Sequence, residues 1–238
     1  MIRVTVWNEN RFQSNASKMH EVYPEGIHGM LASIFKNAGF EVRTALLDDP
    51  ENGLPEEVLA QTDVLVYWSH IAQNDLTDET CERICRHVNC GMGFIPLHSA
   101  HMSKPFRQLM GTTCTLDWRE NKDHEILWCT NIGHPIASGV DPHFSLEREE
   151  MYREYFDIPQ PEELVFIGWF SSGEVFRSGV CYRRGRGRIF YFQPGHETYP
   201  TFYNANIQKI LVNAVKWACP KQRDMEARTC RHVPPVIQ

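Results

Sequence analysis

The chain has 238 residues, of which 42% are hydrophobic and 23% charged. That is enough to bury the core of one large α/β domain and too apolar for a disordered chain. Its formal net charge of −6 gives no long-range pull toward nucleic acid or an anionic membrane, so neither is expected as a partner.

Residues 2–7 read as a mostly apolar strand, followed by a polar loop to about residue 23. A helix is predicted over 26–38, where Ile27, Met30, Leu31, Ile34 and Ala38 share one face and Gly39 ends it. Residues 40–46 form the next strand, then a turn and a short helix from Pro55. The apolar run at 63–68 has the pattern of a strand covered on both faces. Thr77 starts a helix to about 89, and 93–97 is another buried strand ending at His98. This alternation predicts a flavodoxin-like, doubly wound, mainly parallel α/β sheet. Strands at 125–129, 144–151, 164–170 and 174–182 read as partly antiparallel additions at one edge, with a last core strand at 188–193 and a last helix at 206–218. A single domain over 1–219 is expected, with a tail at 220–238 whose apolar Val233, Val236 and Ile237 suit a contact within a homo-oligomer. The longest apolar runs fall far short of the roughly 20 residues that span a bilayer. The opening MIRVTVWNEN lacks the build of a signal peptide, so a cytoplasmic setting is expected.

The eight cysteines include no C-x-x-C pair, in keeping with a reducing compartment. Cys81 and Cys85 are four apart on a helix; they either clamp a metal or, more plainly, fill a core face.

Ligands of open parallel sheets bind beyond the carboxyl ends of the strands. Asn8 follows the first strand and His28 opens the next helix; His70, the pair His98 and His101, and His196 with Glu197 follow three further strands. His98 stands on a strand-to-helix turn, where a hydrolase elbow would carry its nucleophile. His134, in Gly-His-Pro-Ile, is either a turn residue or a site residue. In Glu149-Glu150-Met151-Tyr152, either a solvated face or a carboxylate reaching the cleft is possible. Trp7, Trp68 and Trp169 are candidates to stack a ligand ring, against the commoner fate of burial. The basic turn at 183–188 reads as a solvated hairpin. No G-x-G-x-x-G follows the first strand, and P-loop, H-E-x-x-H and G-x-S-x-G patterns are absent, so no nucleotide cofactor is expected.

Several segments occur in one order: 93–101 (GFIPLHSAH), 133–136 (GHPI), 149–152 (EEMY), 187–197 (GRIFYFQPGHE) and 215–218 (VKWA). Together they resemble the trehalose-utilization (ThuA-like) family, over residues 3–218. The resemblance implies a sheet of the class I glutamine amidotransferase type and a link to disaccharide catabolism through 3-keto sugars. Amidotransferases carry a cysteine on the elbow; here His98 stands there, so a thioester route from glutamine is not expected.

The expected function is therefore acid–base chemistry on a disaccharide or 3-keto sugar, with His98, His196 and Glu150 (or Glu149) as catalytic groups. Trp7, Asn8, His70, His101 and Tyr152 are expected to bind substrate. The alternative is a non-catalytic sugar-binding or assembly partner of a sugar oxidoreductase. A divalent metal, zinc by preference, is expected on His28, His98 and His196, with Glu150 completing the set. The competing reading is a metal-free cluster in which one imidazole is the acid and another the base.

Overall fold

The runs at Val64–Trp68 and Gly93–Leu97 are buried at every position, as strands sandwiched between helical layers must be. The structure, a computed structural model, describes residues 1–12, 15–223, 232–234 and 236–237. Its strands are β1 (Arg3–Asn8), β2 (Glu41–Leu46), β3 (Val64–Trp68), β4 (Gly93–Leu97), β5 (Asp117–Cys129), β6 (His143–Arg153), β7 (Glu163–Phe170), β8 (Val175–Arg184) and β9 (Gly187–Phe192). Its helices are α1 (Ala16–Val22), α2 (Gly26–Asn37), α3 (Glu56–Gln61), α4 (Asp78–Asn89), α5 (Lys104–Met110) and α6 (Ala205–Ala218).

All described strands join one sheet in the order β2-β1-β3-β4-β9-β8-β7-β5-β6. The first five in that order are mutually parallel, and their order follows the flavodoxin pattern. Two apolar cores cover the two faces. One gathers α1, α2 and α6 with Val66 and Phe192; the other gathers α3, α4 and α5 with Leu65 and Tyr191. Side chains set the helix starts. Thr77 Oγ1 accepts from Thr80 N in α4, and Asn204 Oδ1 accepts from Asn206 N and Ile207 N in α6.

The expectation of a mainly parallel sheet needs correction. Strands β8, β7, β5 and β6 are antiparallel neighbours, and they run 8 to 13 residues against 5 or 6 in the parallel core. No helix of regular α type separates β5 from β9, and strands joined without a crossover pair antiparallel. One helix escaped the sequence: α1 lies in the expected polar loop, with Met19 buried, whereas α5 follows the strand-to-helix turn expected at His98.

Most of the 220–238 tail lies outside the described residues; Val233, Val236 and Ile237 are exposed. Arg223 docks the tail's start on α3, donating to the carbonyls of Leu59 and Thr62. Cys81 and Cys85 are buried free thiols. No described helix is long and apolar enough to cross a membrane.

Candidate active site

Register sets the address of the site. Asn8 pairs with Trp68, Trp68 with Leu97 and Leu97 with Phe192, so β1, β3, β4 and β9 end at one level. The residues that follow them, Glu9, His70, His98 and His196, meet at that edge. His98 leaves β4 with φ 54°, a left-handed backbone that costs a non-glycine residue about 1–2 kcal/mol and that the surrounding packing sustains. Its ring lies between Trp68, at 6.3 Å and 13°, and Tyr152, at 5.5 Å and 17°. Glu150 arrives from β6, in the antiparallel half of the sheet.

One ligand-type atom each of His70, His98, Glu150 and His196 lies within 4.8 Å of all the others. Hydrogen-bond partners orient all three of these rings. His98 Nδ1 stands 3.1 Å from the Gln193 carbonyl, which can only accept, so Nδ1 holds a proton and the neutral ring carries its lone pair on Nε2. His70 Nδ1 stands 2.8 Å from Glu197 Oε2, with the same consequence for its Nε2. His196 is set the other way: its Nδ1 accepts from Thr198 N at 3.2 Å, which puts the neutral ring's proton on Nε2. His98 Nε2 and Glu150 Oε2 are 3.2 Å apart: with the ring neutral neither finds a hydrogen-bond partner, and with it protonated they form an ion pair. His196 Nε2 is buried and makes no hydrogen bond either.

Buried carboxylates and one indole hold this arrangement. Glu9 accepts from Ile71 N and Ala72 N, fixing the turn that carries His70. Glu149 accepts from Gly195 N, His196 N, Thr201 Oγ1 and Glu150 N. Trp68 Nε1 donates to the Gly195 carbonyl at 2.9 Å. Gln193 Nε2 donates to the Glu150 carbonyl at 3.0 Å.

Electrostatics follow from these contacts. Burial opposes charge on His98, but Glu150, with Glu149 and Glu197 behind it, outweighs burial and raises its pKa. Burial likewise pushes Glu150 up, and His98 more than reverses it. Burial and the neighbouring His98 hold His196 down at about 4, so it stays neutral near pH 7. Glu197 is drawn to about 2 because the His70 bond outweighs its burial. Burial lowers His101 to about 4, and its Nδ1 donates to the Cys114 carbonyl at 2.7 Å.

A cavity of about 400 Å³ opens beside the cluster, lined by His70, Ser99, His101, Trp118, Glu150 and Tyr152 among others. Six sequence-predicted residues therefore come together here: His70, His98, His101, Glu150, Tyr152 and His196. Others do not. His28 is absent from the metal-type group, and His70 takes its place; His28 Nδ1 lies 3.4 Å from Asn8 Nδ2, one helix removed from the strand end. Asn8 is fully buried and its Oδ1 accepts from Asn10 N, so it shapes a turn. Trp7 is buried against Tyr67 at 4.1 Å, with Nε1 donating to Asn52 O. Trp68 is core and Trp169 is not part of the cavity wall. Glu149 braces the loop and leaves the cluster to Glu150. His134 Nδ1 accepts from Ile136 N, which makes it a turn residue.

Residues 118 and 120 were missed. Trp118, Glu120 and the rest of 117–124 read as polar, irregular sequence, and β5 carries register shifts between Arg119 and Glu125, which hide the period-two pattern. Glu120 Oε1 lies 3.9 Å from His196 Nε2.

Residues 3–218 match the ThuA family model, described as trehalose utilisation. No curated protein matches the chain. Among solved structures, a ThuA-like protein of Parabacteroides merdae shares 15% identity over 94% of this chain and 92% of its own, at a TM-score of 0.69. One from Bacteroides uniformis shares 15% over 91% of each chain, at 0.66. A Salmonella typhimurium protein described as cytoplasmic shares 12% over 92% of this chain and all of its own, at 0.60. At such identities the structures speak for the fold. The family match spans nearly the whole chain and includes every residue of the cluster: this chain belongs to the ThuA-like, trehalose-utilisation family.

Proposed function

We propose that the chain is a metal-assisted enzyme of sugar catabolism, acting at a carbonyl of a disaccharide or its 3-keto derivative. One observation carries the metal reading. Two imidazoles, His98 fully buried and His70 half-buried, have their Nδ1 atoms committed to acceptors, and as neutral rings both present Nε2 lone pairs in the same cluster as Glu150, whose Oε2 makes no hydrogen bond. Neutral His98 facing that carboxylate without a proton or cation between them would be repulsive. Two ligands about 2.0–2.1 Å from one tetrahedral ion stand about 3.3 Å apart, close to the 3.2 Å between His98 Nε2 and Glu150 Oε2.

His70, His98 and Glu150 are thus the residues that would hold the ion, and their nitrogen and oxygen donors suit zinc. Such an ion supplies a Lewis acid and lowers the pKa of bound water toward 7. Glu197 and the Gln193 carbonyl keep the two rings in the ligating tautomer. His196, neutral and protonated on Nε2, donates a hydrogen bond to the substrate oxygen where negative charge develops. A carbonyl polarised this way has an acidified neighbouring C–H, and isomerisation or elimination there would pass that proton to water held in the site, the glycosidic oxygen on the β carbon leaving in the elimination. The description of the Salmonella relative favours a cytoplasmic setting.

Incubation with 3-keto-trehalose tests the proposal. The sugar should be consumed, with loss of turnover in His98→Ala and after chelation, and recovery on adding zinc. Binding of the sugar without turnover, in zinc-loaded protein, would instead favour a non-catalytic partner of a sugar oxidoreductase.

A further inference from the structure

Trp118 is the feature the proposed chemistry leaves unused. It is 64% exposed on a strand whose neighbouring aromatic is almost wholly buried. Trp118 pairs across the strands with Tyr152, and cross-strand partners share one face of a sheet. Tyr152 stacks on His98, so an aromatic wall runs from solvent to the cluster. Both residues line the 400 Å³ cavity, a volume near the lower end of the roughly 300–1,000 Å³ of small-molecule sites. An indole left in water at the mouth of such a cavity marks a ligand surface.

The rest of the wall says what kind of ligand. Gln73, Ser99, His101 and Thr115 offer neutral polar groups, and Glu150 is the carboxylate. No lysine or arginine is among the described residues that line it. His101 has its Nδ1 proton committed to Cys114 O and therefore offers Nε2 as an acceptor for a hydroxyl. A phosphate or carboxylate on the ligand would find no guanidinium or ammonium in this wall to replace its hydration, and anions are costly to bury unpaired.

We infer that Trp118 is a stacking platform that selects an uncharged, polyhydroxylated ring and disfavours its phosphorylated counterpart. This rests on the proposed sugar chemistry at the same site. The hydrogen-rich face of the ring lies on the indole, while its hydroxyls meet His101 and Gln73.

Calorimetric titration of the full-length, zinc-loaded protein tests it, with trehalose, methyl α-glucoside and trehalose 6-phosphate as probes. The neutral sugars should bind saturably, Trp118→Ala should weaken them roughly tenfold, and Trp118→Phe should retain most of the affinity. The phosphorylated sugar should bind at least about tenfold more weakly than trehalose. Unchanged affinity in Trp118→Ala, equal affinity for the phosphorylated sugar, or no saturable binding of either neutral sugar overturns the inference. The zinc content of Trp118→Ala separates this from the metal reading. Full zinc with unchanged sugar affinity removes the platform alone; Trp118-dependent binding by a protein that takes up no zinc removes the metal alone.

Discussion

Glu149 ties β6 to the loop that carries His196, and replacing its oxygens one at a time should show what that tie contributes. In Glu149→Gln the amide NH₂ must take one oxygen position. At Oε1 it would oppose the N–H groups of Glu150 and His196, at 3.0 and 3.2 Å. At Oε2 it would oppose Gly195 N, at 3.0 Å, while the Thr201 hydroxyl can rotate to accept. The second arrangement is the better one and orphans a single buried N–H, costing about 1–3 kcal/mol, with a further loss because the remaining bonds no longer reach a charged acceptor. The total is about 3 kcal/mol. Glu149→Ala orphans three backbone N–H groups and should cost about 5 kcal/mol. For a chain of this size each kcal/mol lowers Tm by about 2–4 °C, so the Gln variant should melt about 6–12 °C early. Urea unfolding of chelator-treated protein is the assay, since bound ligand would add its own stabilisation. A Gln variant within about 0.5 kcal/mol of the parent, or one as damaged as Ala, would refute the hydrogen-bond reasoning.

Other outcomes follow from the same geometry. His28→Ala should leave the metal content of the purified protein unchanged and His70→Ala should remove most of it; the reverse result would return His28 to the ligand set. Trp68→Phe leaves the buried Gly195 carbonyl without its donor and should cost about 1–3 kcal/mol, read by urea unfolding; no loss would mean that water or a shifted donor satisfies that carbonyl. Away from the site, burial raises Glu154, but four donors from Arg177 and Phe156 outweigh it and hold its pKa below the ordinary carboxylate value. A depressed folded pKa adds stability above the unfolded value and loses it as pH falls through the folded one. The stability gap between parent and Glu154→Gln, about 1 kcal/mol at pH 7, should therefore close in acid, and a gap that widens there would contradict the pairing.

The parallel core was legible because it is buried on both faces: Val64–Trp68 and Gly93–Leu97 are apolar runs bounded by turns, and their ends delivered His70 and His98, as the end of β9 delivered His196. His28 misled because one imidazole near a strand end looks like another. Its helix starts at Gly26, and that geometry places its ring against Asn8 while His70, two residues past β3, turns into the cleft. Choosing Glu150 over Glu149 needed the β6 register, which sequence alone left open. Trp118 and Glu120 were invisible for a related reason, since the bulged stretch of β5 breaks the alternation that would have marked a strand. Asn8 and Trp7 were placed at the right sheet edge but face the turn and the core. What a sequence pattern conveys is the address of a strand end; which ring turns inward depends on partners such as Glu197 and the Gln193 carbonyl.

The most direct test of the cluster is titration of chelator-treated protein with zinc, read together with elemental analysis of the protein as purified. One ion per chain, bound saturably and lost in His70→Ala, His98→Ala and Glu150→Ala, is the result expected. His196→Ala should keep the ion and lose turnover, because its Nε2 carries the proton that Thr198 places there. Well under one ion per chain and no saturable uptake would contradict the metal reading and leave His98 and Glu150 as a buried, metal-free acid–base pair.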